Sequence, residues 1–572
     1  MPQETNTTYD AIVIGAGMSG AWAAKEFATK GLKTLLLERG PDVKHMVDYP
    51  TTGMQPWEFK HRGQIPESIR AANPIVSRCY AFREDAAHFF VKDQEHPYEQ
   101  VKPFDWIRGY QVGGKSLMWA RQVQRWSDYD FEGPKRDGFA VDWPIRYKDI
   151  EDWYSYVERY IGVSGNYDGL KTLPDGVFQP AWDLNCVEEH FQAAIAENYE
   201  DRHFIYGRVA HVTELTEEIK AQGRTLCQGR NICQRGCPYG GYFNVNSTLI
   251  PQAQNTGNLT LRPHSVVERI IYDDEQGKAV GVQVIDAQTK EVLTFSAEVI
   301  FVNAATINSN CILLNSTSER FPNGLGNDSG TLGKYLGFHN YRGRIQATHD
   351  GHQDVVYKGG RPTAGYIPRF RNIDQQEVDF IRGYAVAFYS SRSRNIDSAG
   401  FGQELQENLL SPKSYGAWSV SCLILGETIP QVSNQISLDR STLDEFGIPK
   451  PKIDISYTEN DEKMLEDFFT ELSIMFEQAG FKDLKRIDTK QAPGLDIHEM
   501  GGIRMGKDPQ SSMLNKWNQL HACPNVYVSD GSCMTSISTQ NPSLTFMALT
   551  ARAAHHAMEG FDDGRYQRVD KE

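Results

Sequence analysis

The sequence predicts a two-lobe fold that combines an α/β lobe with an α+β lobe. A strand, a glycine turn, a helix and a second strand follow one another over residues 9–38, which is the opening of a Rossmann-like dinucleotide-binding domain. Further buried strands occur far along the chain, at 299–303 and 525–529, so this domain is predicted to be discontinuous. Strand-like runs between 335 and 455 supply the second lobe.

Each element follows from its local pattern. Residues 9–15 and 33–38 are apolar runs of strand length, and 18–30 has the length of a helix. Residues 41–105 are rich in Pro, His and charge and lack periodicity, so they are predicted to be mostly irregular. Further helices are predicted over 149–160, 187–199 and 459–479 and from 308 and 543; a β-meander over 265–272, 279–286 and 292–296; and second-lobe strands over 344–348, 385–390, 417–425 and 435–438.

The composition is that of an ordinary folded protein and excludes several functional classes. The chain has 572 residues and a net charge of −15, which disfavours nucleic acid as a partner. No apolar run approaches the roughly 20 residues that a transmembrane helix needs. Residues 1–10 are polar and carry neither a secretory nor a twin-arginine signal, so the chain is not expected to direct its own export.

The glycine turn carries the first functional prediction. Gly15, Gly17 and Gly20 fit G-x-G-x-x-G between a strand and a helix, where backbone N–H groups and the helix N-terminus bind a pyrophosphate. Glu38 ends the second strand and can accept hydrogen bonds from ribose hydroxyls. The motif predicts a dinucleotide cofactor without distinguishing FAD from NAD.

A histidine and an asparagine near the C-terminus suggest acid–base chemistry. A neutral imidazole such as that of His498 is suited to removing an alcohol proton near neutral pH. The amide of Asn541 offers a donor to a developing alkoxide. The alternative for an isolated histidine is a hydrogen-bonded structural residue.

Five segments together resemble the glucose–methanol–choline (GMC) family of flavoprotein oxidoreductases. They are the glycine turn with Glu38, residues 109–116, 299–308, 498–506 and 528–545, the last containing Asn541-Pro542. The resemblance implies an FAD-binding domain and a substrate domain built on an antiparallel sheet. The implied domain ranges are 1–45, 106–130, 225–332 and 490–572 for FAD, and 46–105, 131–224 and 333–489 for the substrate domain and its connecting segments.

The resemblance also implies the site residues. His498 matches the family's catalytic base and Asn541 its partner beside the flavin. The implied cofactor-binding positions are Gly15, Gly17, Met18, Ser19, Gly20, Glu38, Arg39, Gly113, Gly114, Ser116, Met118, Val267 (or its neighbour Val266), Ala304, Asp530, Gly531, Asn541, Pro542 and Thr545. Met118 stands where relatives with covalent FAD carry the attachment histidine, so FAD is expected to be non-covalent.

A cysteine cluster requires its own explanation. Cys227, Cys233 and Cys237 crowd into eleven residues with Pro238 following the last. Three thiolates on one loop can hold three corners of an iron–sulfur cluster. The segment is similar to the one that carries a [3Fe-4S] cluster in bacterial flavin-dependent glucose dehydrogenases. Three reduced, packed cysteines are the alternative.

The resemblance points to an FAD-dependent sugar dehydrogenase, closest to bacterial glucoside 3-dehydrogenases, which oxidise the C3 hydroxyl of a pyranoside. Trp119 and Glu427 are expected to contact the substrate along with His498 and Asn541. Oxidation at C1, an oxidase that uses O2, and a non-catalytic flavin-binding subunit remain alternatives, with an NAD-dependent dehydrogenase least favoured. Relatives imply a small signal-bearing subunit, a cytochrome c or quinone acceptor, and a periplasmic location by co-export; a cytoplasmic location is the other possibility.

Overall fold

The computed structural model describes residues 3–355, 362–393, 400–410 and 415–569. The helices are α1 (Met18–Thr29), α2 (Glu67–Ala72), α3 (Asp128–Phe131), α4 (Gly133–Asp137), α5 (Glu151–Ile161), α6 (Cys186–Asn198), α7 (Glu217–Ala221), α8 (Leu249–Gln254), α9 (Thr306–Asn315), α10 (Gln403–Leu410), α11 (Glu459–Gln478) and α12 (Ser543–Asp562). The strands are β1 (Gln3–Ile14), β2 (Thr34–Leu37), β3 (Glu99–Gln100), β4 (Ile205–Tyr206), β5 (Leu259–Arg262), β6 (Ser265–Asp273), β7 (Lys278–Asp286), β8 (Val292–Val302), β9 (Lys334–Gly337), β10 (His339–Asn340), β11 (Gly343–His349), β12 (Gly365–Ile367), β13 (Tyr384–Ser391), β14 (Trp418–Glu427), β15 (Gln435–Leu443), β16 (Pro449–Asp454), β17 (Lys482–Asp488), β18 (Met500–Gly502), β19 (Gln519–Leu520) and β20 (Cys523–Val528).

A largely parallel sheet forms the centre of the first lobe, in the order β19-β20-β8-β1-β2-β5. β1 pairs in parallel with β2 and β8, and β20 pairs in parallel with β8. Ala11, Ile12 and Val13 of β1 are fully buried, as expected of a central strand covered on both faces. The sheet therefore joins chain segments near residues 10, 35, 300 and 526, which confirms the predicted discontinuous Rossmann-like lobe.

The meander lies on this sheet but differs from the prediction in one respect. β6 pairs with β7 and β7 pairs with β8, both antiparallel. The strands predicted over 292–296 and 299–303 are one continuous strand, β8, that also pairs with β1 along both halves. Predicting two strands there was wrong.

The second lobe is built on an antiparallel sheet, as expected from the resemblance. Its order is β17-β11-β14-β13-β12-β4, with β10 also paired to β14. α11 and α6 cover one face, and buried aromatic side chains including Phe191, Phe388 and Phe468 fill the space between.

A small third sheet links the two lobes. Its order is β18-β9-β15-β16-β3, so it joins residues near 100, 336, 437, 452 and 501. β18 follows His498 by two residues, so the register of this sheet fixes the backbone next to the predicted base. The domain ranges themselves stay a prediction; within 131–224, α5 packs against α12 of the first lobe.

Candidate active site

A cavity of about 1690 Å³ is lined by residues of both lobes. Of the predicted residues, those on its wall are Gly15, Gly17, Met18, Ser19, Glu38, Arg39, Gly114, Ser116, Met118, Trp119, Val267, Ala304, His498, Asp530, Gly531, Asn541 and Pro542. Those not on its wall are Gly20, Gly113, Thr545, Glu427 and the three cysteines of the 227–237 loop. The sequence thus predicted one wall from segments more than 500 residues apart.

The glycine turn forms one end of the cavity. Gly15 has φ +96°, and a Cβ there would lie 2.4 Å from the Asn303 carbonyl oxygen. A Cβ on Gly20 would lie 1.7 Å from the Gly15 carbonyl oxygen, so Gly20 acts by letting α1 pack on β1. A Cβ on Gly17 would meet no protein atom within 4 Å, and no side chain caps the N-terminus of α1. The free N–H groups beside an open space fit a pyrophosphate.

Glu38 is held by the backbone next to this turn. Its carboxylate accepts hydrogen bonds from the backbone N–H groups of Ala16 and Gly40, both at 3.0 Å. Burial raises the pKa of Glu38. Arg39 also lines the cavity and stacks its guanidinium on the Tyr110 ring at 4.1 Å. A carboxylate fixed in this way is positioned to accept hydrogen bonds from ribose hydroxyls.

The loop that begins at Gly113 packs directly on the glycine turn. Gly113 donates its N–H to the Ala16 carbonyl oxygen at 2.9 Å. Gly113 has φ +99°, and a Cβ there would lie 2.0 Å from Asn246 Oδ1, so its role is to let the loop turn. Ser116 closes the turn by donating its hydroxyl to the Gly113 carbonyl oxygen at 2.6 Å.

Two predicted cofactor residues near the C-terminus have different roles. Asp530 lies on the wall and accepts hydrogen bonds from the Ser309 hydroxyl at 2.6 Å and from the Ser532 N–H at 3.0 Å. Thr545 is buried inside α12, where its hydroxyl bonds that of Tyr154 at 2.8 Å. The Thr545 side chain therefore faces α5 and not the cavity, and the place of Thr545 among the cofactor-binding residues stays a prediction.

His498 and Asn541 meet on the cavity wall. Nε2 of His498 lies 3.3 Å from Nδ2 of Asn541. Burial lowers the pKa of His498 well below its usual value, and the nearby charges of His339 and Lys115 lower it further. His498 is therefore neutral at physiological pH, the state in which an imidazole can accept a proton.

Glu427 does not face the substrate space, contrary to the prediction. It is completely buried, and its Oε2 accepts hydrogen bonds from Arg369 at 2.8 Å and from Arg382 at 2.9 Å. Both arginines are themselves buried, so the group forms an internal ion-pair network. Trp119, by contrast, lies on the wall, where its indole N–H donates to the Phe243 carbonyl oxygen at 3.0 Å.

Comparison with known proteins decides the family. Two family models described as GMC oxidoreductase match residues 209–340 and 430–550. The chain belongs to the GMC oxidoreductase family. Like other members it binds FAD and acts on CH–OH donors.

Similar proteins span this GMC chain almost completely. The 2-methyl-1,2-propanediol dehydrogenase of Mycolicibacterium austroafricanum is 28% identical, over 98% of this chain and 97% of its own. The fructose dehydrogenase large subunit of Gluconobacter japonicus is 25% identical, over 97% of this chain and 98% of its own. A solved structure of an Aspergillus oryzae formate oxidase variant, studied for FAD modification, aligns with a TM-score of 0.59 at 14% identity, covering 97% of this chain and 99% of that one.

The cysteine loop of this GMC chain lies beside the cavity. Asn231 and Gln234, from the same loop, reach the wall. The thiols of Cys227, Cys233 and Cys237 are half-buried and form no disulfide. Burial raises the pKa of Cys227 to about 11, and the proximity of the other two thiols adds to the effect. The thiols of Cys233 and Cys237 therefore lie close enough to Cys227 for their charges to act on it.

One tyrosine connects this loop to the loop that begins at Gly113. The Tyr242 hydroxyl lies 2.8 Å from the Leu117 carbonyl oxygen and 3.1 Å from that of Cys233. The site predicted for iron and sulfur is thus fixed to the segment that carries Met118.

Within the described ranges, no helix combines the length and apolar character needed to cross a bilayer.

Two residues beside His498 were missed by the sequence reasoning. Nδ1 of His339 lies 2.9 Å from Nδ1 of His498, and Asp496 Oδ2 accepts the His339 backbone N–H at 2.9 Å. Asp496 precedes His498 by two residues and offered a local signal. His339 offered none, because only the pairing of β9 with β18 brings residues near 337 and 500 together.

Proposed function

We propose that this chain is an FAD-dependent sugar dehydrogenase that oxidises a ring hydroxyl of a pyranoside, at C3 of a glucoside, to the keto sugar. The observation that carries the proposal is the contact between His498 Nε2 and Asn541 Nδ2 on the wall of the large cavity. The relative named as a fructose dehydrogenase large subunit supports a sugar as the substrate. The diol dehydrogenase relative supports a smaller alcohol as the competing substrate class.

The proposed chemistry removes one proton and one hydride from a CH–OH group and leaves a carbonyl. His498 takes the hydroxyl proton on Nε2, and Asn541 donates a hydrogen bond to the oxygen as negative charge develops. FAD, when bound, supplies the acceptor of the hydride. The glycine turn would hold its pyrophosphate, Glu38 its ribose and Val267 its adenine.

Polar and aromatic groups on the wall support a polyhydroxylated substrate. Trp119, Tyr341 and Tyr389 line the cavity, and Arg344 stacks on the Tyr341 ring at 4.2 Å. Aromatic faces pack on the C–H face of a sugar ring, while phenol, amide and guanidinium groups bind its hydroxyls. A small diol would leave most of these lining groups without a contact.

The first experiment is an anaerobic titration of the holoenzyme with methyl α-glucopyranoside, whose C1 is blocked. We expect the flavin absorption to bleach, and the product to be the 3-keto glycoside by NMR. His498→Ala is expected to slow flavin reduction by about 10²–10⁴-fold. Bleaching by free glucose alone would show that C1 is the oxidised position. Bleaching by 2-methyl-1,2-propanediol alone would overturn the assignment of a sugar as the substrate. If none of these compounds bleaches a bound flavin, a non-catalytic subunit becomes the better explanation.

We further propose that Cys227, Cys233 and Cys237 bind a [3Fe-4S] cluster through which electrons leave. The donor set fits, since three thiolates without a fourth ligand are what such a cluster requires. The cluster would accept electrons singly from the reduced cofactor and pass them to an outside acceptor.

Charge around the loop supports an anionic group there. Arg121 and Arg224 are buried, and the hydrogen bonds they make within the described residues go to neutral groups: Arg121 to His211, and Arg224 to the carbonyl oxygens of Gly240 and Ile161 and to Gln222. Nη2 of Arg224 is buried without a hydrogen-bond partner, and Arg121 stacks on Tyr242 at 5.4 Å. A buried cation is costly unless a negative group balances it, and a thiolate-bound cluster would do so.

Iron and acid-labile sulfide analysis of anaerobically purified protein tests this proposal. We expect about three iron atoms per chain, lost in Cys233→Ser and retained in the matched control Cys186→Ser, whose half-buried cysteine lies outside the loop. Protein that lacks iron after anaerobic purification, with all three thiols open to alkylation, would leave them as reduced structural cysteines.

A cluster near the surface implies an external acceptor, and we propose a cytochrome c or a quinone, together with a small subunit that carries the export signal to the periplasm. Oxygen consumption at the rate of flavin reduction would instead identify an oxidase. Recovery of the chain from the cytoplasm, with no co-purifying subunit, would contradict the export proposal.

A further inference from the structure

A second histidine stands directly behind the proposed base. The Nδ1 atoms of His498 and His339 lie 2.9 Å apart, with the two rings at 81° to each other. His339 is completely buried at the start of β10. Two imidazole nitrogens at this distance form a hydrogen bond only if one carries a proton and the other a lone pair. The contact therefore requires a defined tautomer of each ring.

The contact with Asn541 gives the direction of that hydrogen bond. In the orientation that the Asn541 amide has here, Nδ2 faces Nε2 of His498, and the proposed role of His498 as base requires the matching assignment, with Nε2 accepting and carrying no proton. Burial keeps His498 neutral, and its single proton therefore lies on Nδ1 and is donated to His339. Burial also lowers the pKa of His339 to about 4. This ring is neutral too, with its own proton on Nε2.

Glu427 is the acceptor that faces the far side of His339. The two residues are directly paired across β10 and β14, so their side chains lie on the same face of the sheet. Nε2 of His339 and Oε1 of Glu427 are both buried and without a hydrogen-bond partner among the described residues. The two atoms do not bond each other directly, and one buried water between them would satisfy both.

The surroundings keep this carboxylate ionised. Although burial opposes it, the charges of Arg382 and Arg369 lower the pKa of Glu427. The negative charge of Glu427 in turn favours the protonated form of His339. The backbone of Ser538 lies beside both side chains and favours the charged form of each.

We propose that Glu427, His339 and His498 form a carboxylate–imidazole–imidazole relay that holds the base in its reactive tautomer. The inference rests on the proposed function, in which His498 is the base. When the substrate O–H bond breaks, its proton bonds to Nε2 of His498, and the Nδ1 proton stays on His498 and continues to donate to His339. The positive charge that forms on His498 is stabilised by Glu427 through the polarised ring between them. His339 and Glu427 are thus positioning residues.

Other charged groups face the relay and contribute to its pH dependence. Lys115 disfavours positive charge on His498 and is paired with Glu499 at 3.2 Å. Asp496 accepts the His339 backbone N–H. One oxygen of Asp496 also lies within 4.8 Å of a nitrogen of each histidine. A metal ion bound by these three residues is the competing explanation of the short contact.

The tautomers are tested on holoenzyme labelled with ¹⁵N-histidine. We expect His498, assigned by loss of its signals in His498→Ala, to be neutral with its proton on Nδ1. In His339→Leu, which removes the acceptor, we expect a mixture of both neutral forms. A proton on Nε2 in the unaltered protein, an unchanged tautomer in His339→Leu, or one bound metal ion per chain by elemental analysis would each overturn the relay. This NMR measurement needs no substrate, so it tests the relay even if the proposed sugar is wrong.

Flavin reduction by methyl α-glucopyranoside tests the catalytic consequence. We expect His339→Leu to lower the rate at saturating sugar by about 10²-fold with KM within about threefold, because the base remains but its tautomer is no longer fixed. His339→Asn, whose side-chain oxygen can accept from Nδ1, should recover at least a tenfold part of this loss. Equal rates in His339→Leu and unaltered protein, with His498→Ala inactive, would overturn the relay while leaving the proposed function intact.

The role of Glu427 is tested by its pH profile against a matched control. Glu427→Gln removes the negative charge that stabilises the imidazolium, so the rising limb of the rate profile should move to lower pH and its plateau should fall. Asp130→Asn alters the same arginine network, since Asp130 lies 3.3 Å from Arg369 and 3.8 Å from Arg382. A shift in Glu427→Gln that Asp130→Asn reproduces would assign the effect to the network and contradict the relay.

Discussion

Asp496 illustrates how burial changes a single residue of the site. Burial raises its pKa from 3.8 to about 7, and the charge of Glu499 acts in the same direction. A carboxyl whose pKa is higher in the folded protein holds its proton more tightly there. The free energy of unfolding therefore falls as pH rises from about 4 to 7 and stays low above that range.

Asp496→Asn should remove this pH dependence, since an amide oxygen can still accept the His339 N–H. At pH 8 we expect the variant to melt at a higher temperature than the unaltered protein, with a free energy of unfolding larger by something on the order of 2 kcal/mol. At pH 4 the two proteins should differ little in melting temperature. Asp374→Asn, at an exposed ion pair with Lys171, is the control and should show no such divergence. Equal gains at both pH values would show that the carboxyl does not titrate in this range.

Prediction at the residue scale succeeded where a motif defines a local backbone shape. The glycine turn was predicted because each glycine has its own steric reason; the structure shows that reason for Gly15 and Gly20, and the reason for Gly17, close approach to a pyrophosphate, stays a prediction. Glu427 was misplaced because a glutamate before Thr-Ile-Pro gives no sign of which side of its strand faces the cavity. His339 could not be predicted, since its partner His498 lies 159 residues away.

At the scale of elements, predictions were most reliable where the hydrophobic pattern stays constant along the segment. α1, α11 and α12 begin within a residue of their predicted starts. β8 was divided in two because its pattern changes midway. Its first half alternates, with β7 as a neighbour, and its second half is buried on both faces between β1 and β20. A strand that passes from a meander into a central sheet has this change of pattern without a break.

At the scale of the whole molecule, the discontinuous first lobe followed from strands at distant positions. The third sheet could not be predicted from the sequence. Its short strands have no recognisable pattern and form only because both lobes are in place. The same convergence builds the cavity, whose wall takes residues from the glycine turn, the 113–118 loop, β6, α9 and the segment before α12. A cofactor bound there would contact segments that lie far apart in the sequence.

FAD is therefore expected to hold the molecule together without being covalently attached. Met118 stands where the resemblance implies a covalent attachment site, and its thioether has no proton to lose and cannot form the neutral linkage that a histidine ring forms. Acid precipitation should release the flavin into the supernatant, and the flavin-free protein should melt several degrees lower. Added FAD should restore the melting temperature in a saturable way, with the free energy of unfolding raised by about 2.7 kcal/mol at a free FAD concentration one hundred times Kd.

NAD is the control ligand. It shares the adenosine and pyrophosphate but not the flavin, so it should restore the melting temperature less, because it leaves the 113–118 loop without a contact. Flavin that stays with the acid precipitate would contradict non-covalent binding, and an equal effect of NAD would show that the adenosine end alone supplies the stabilisation.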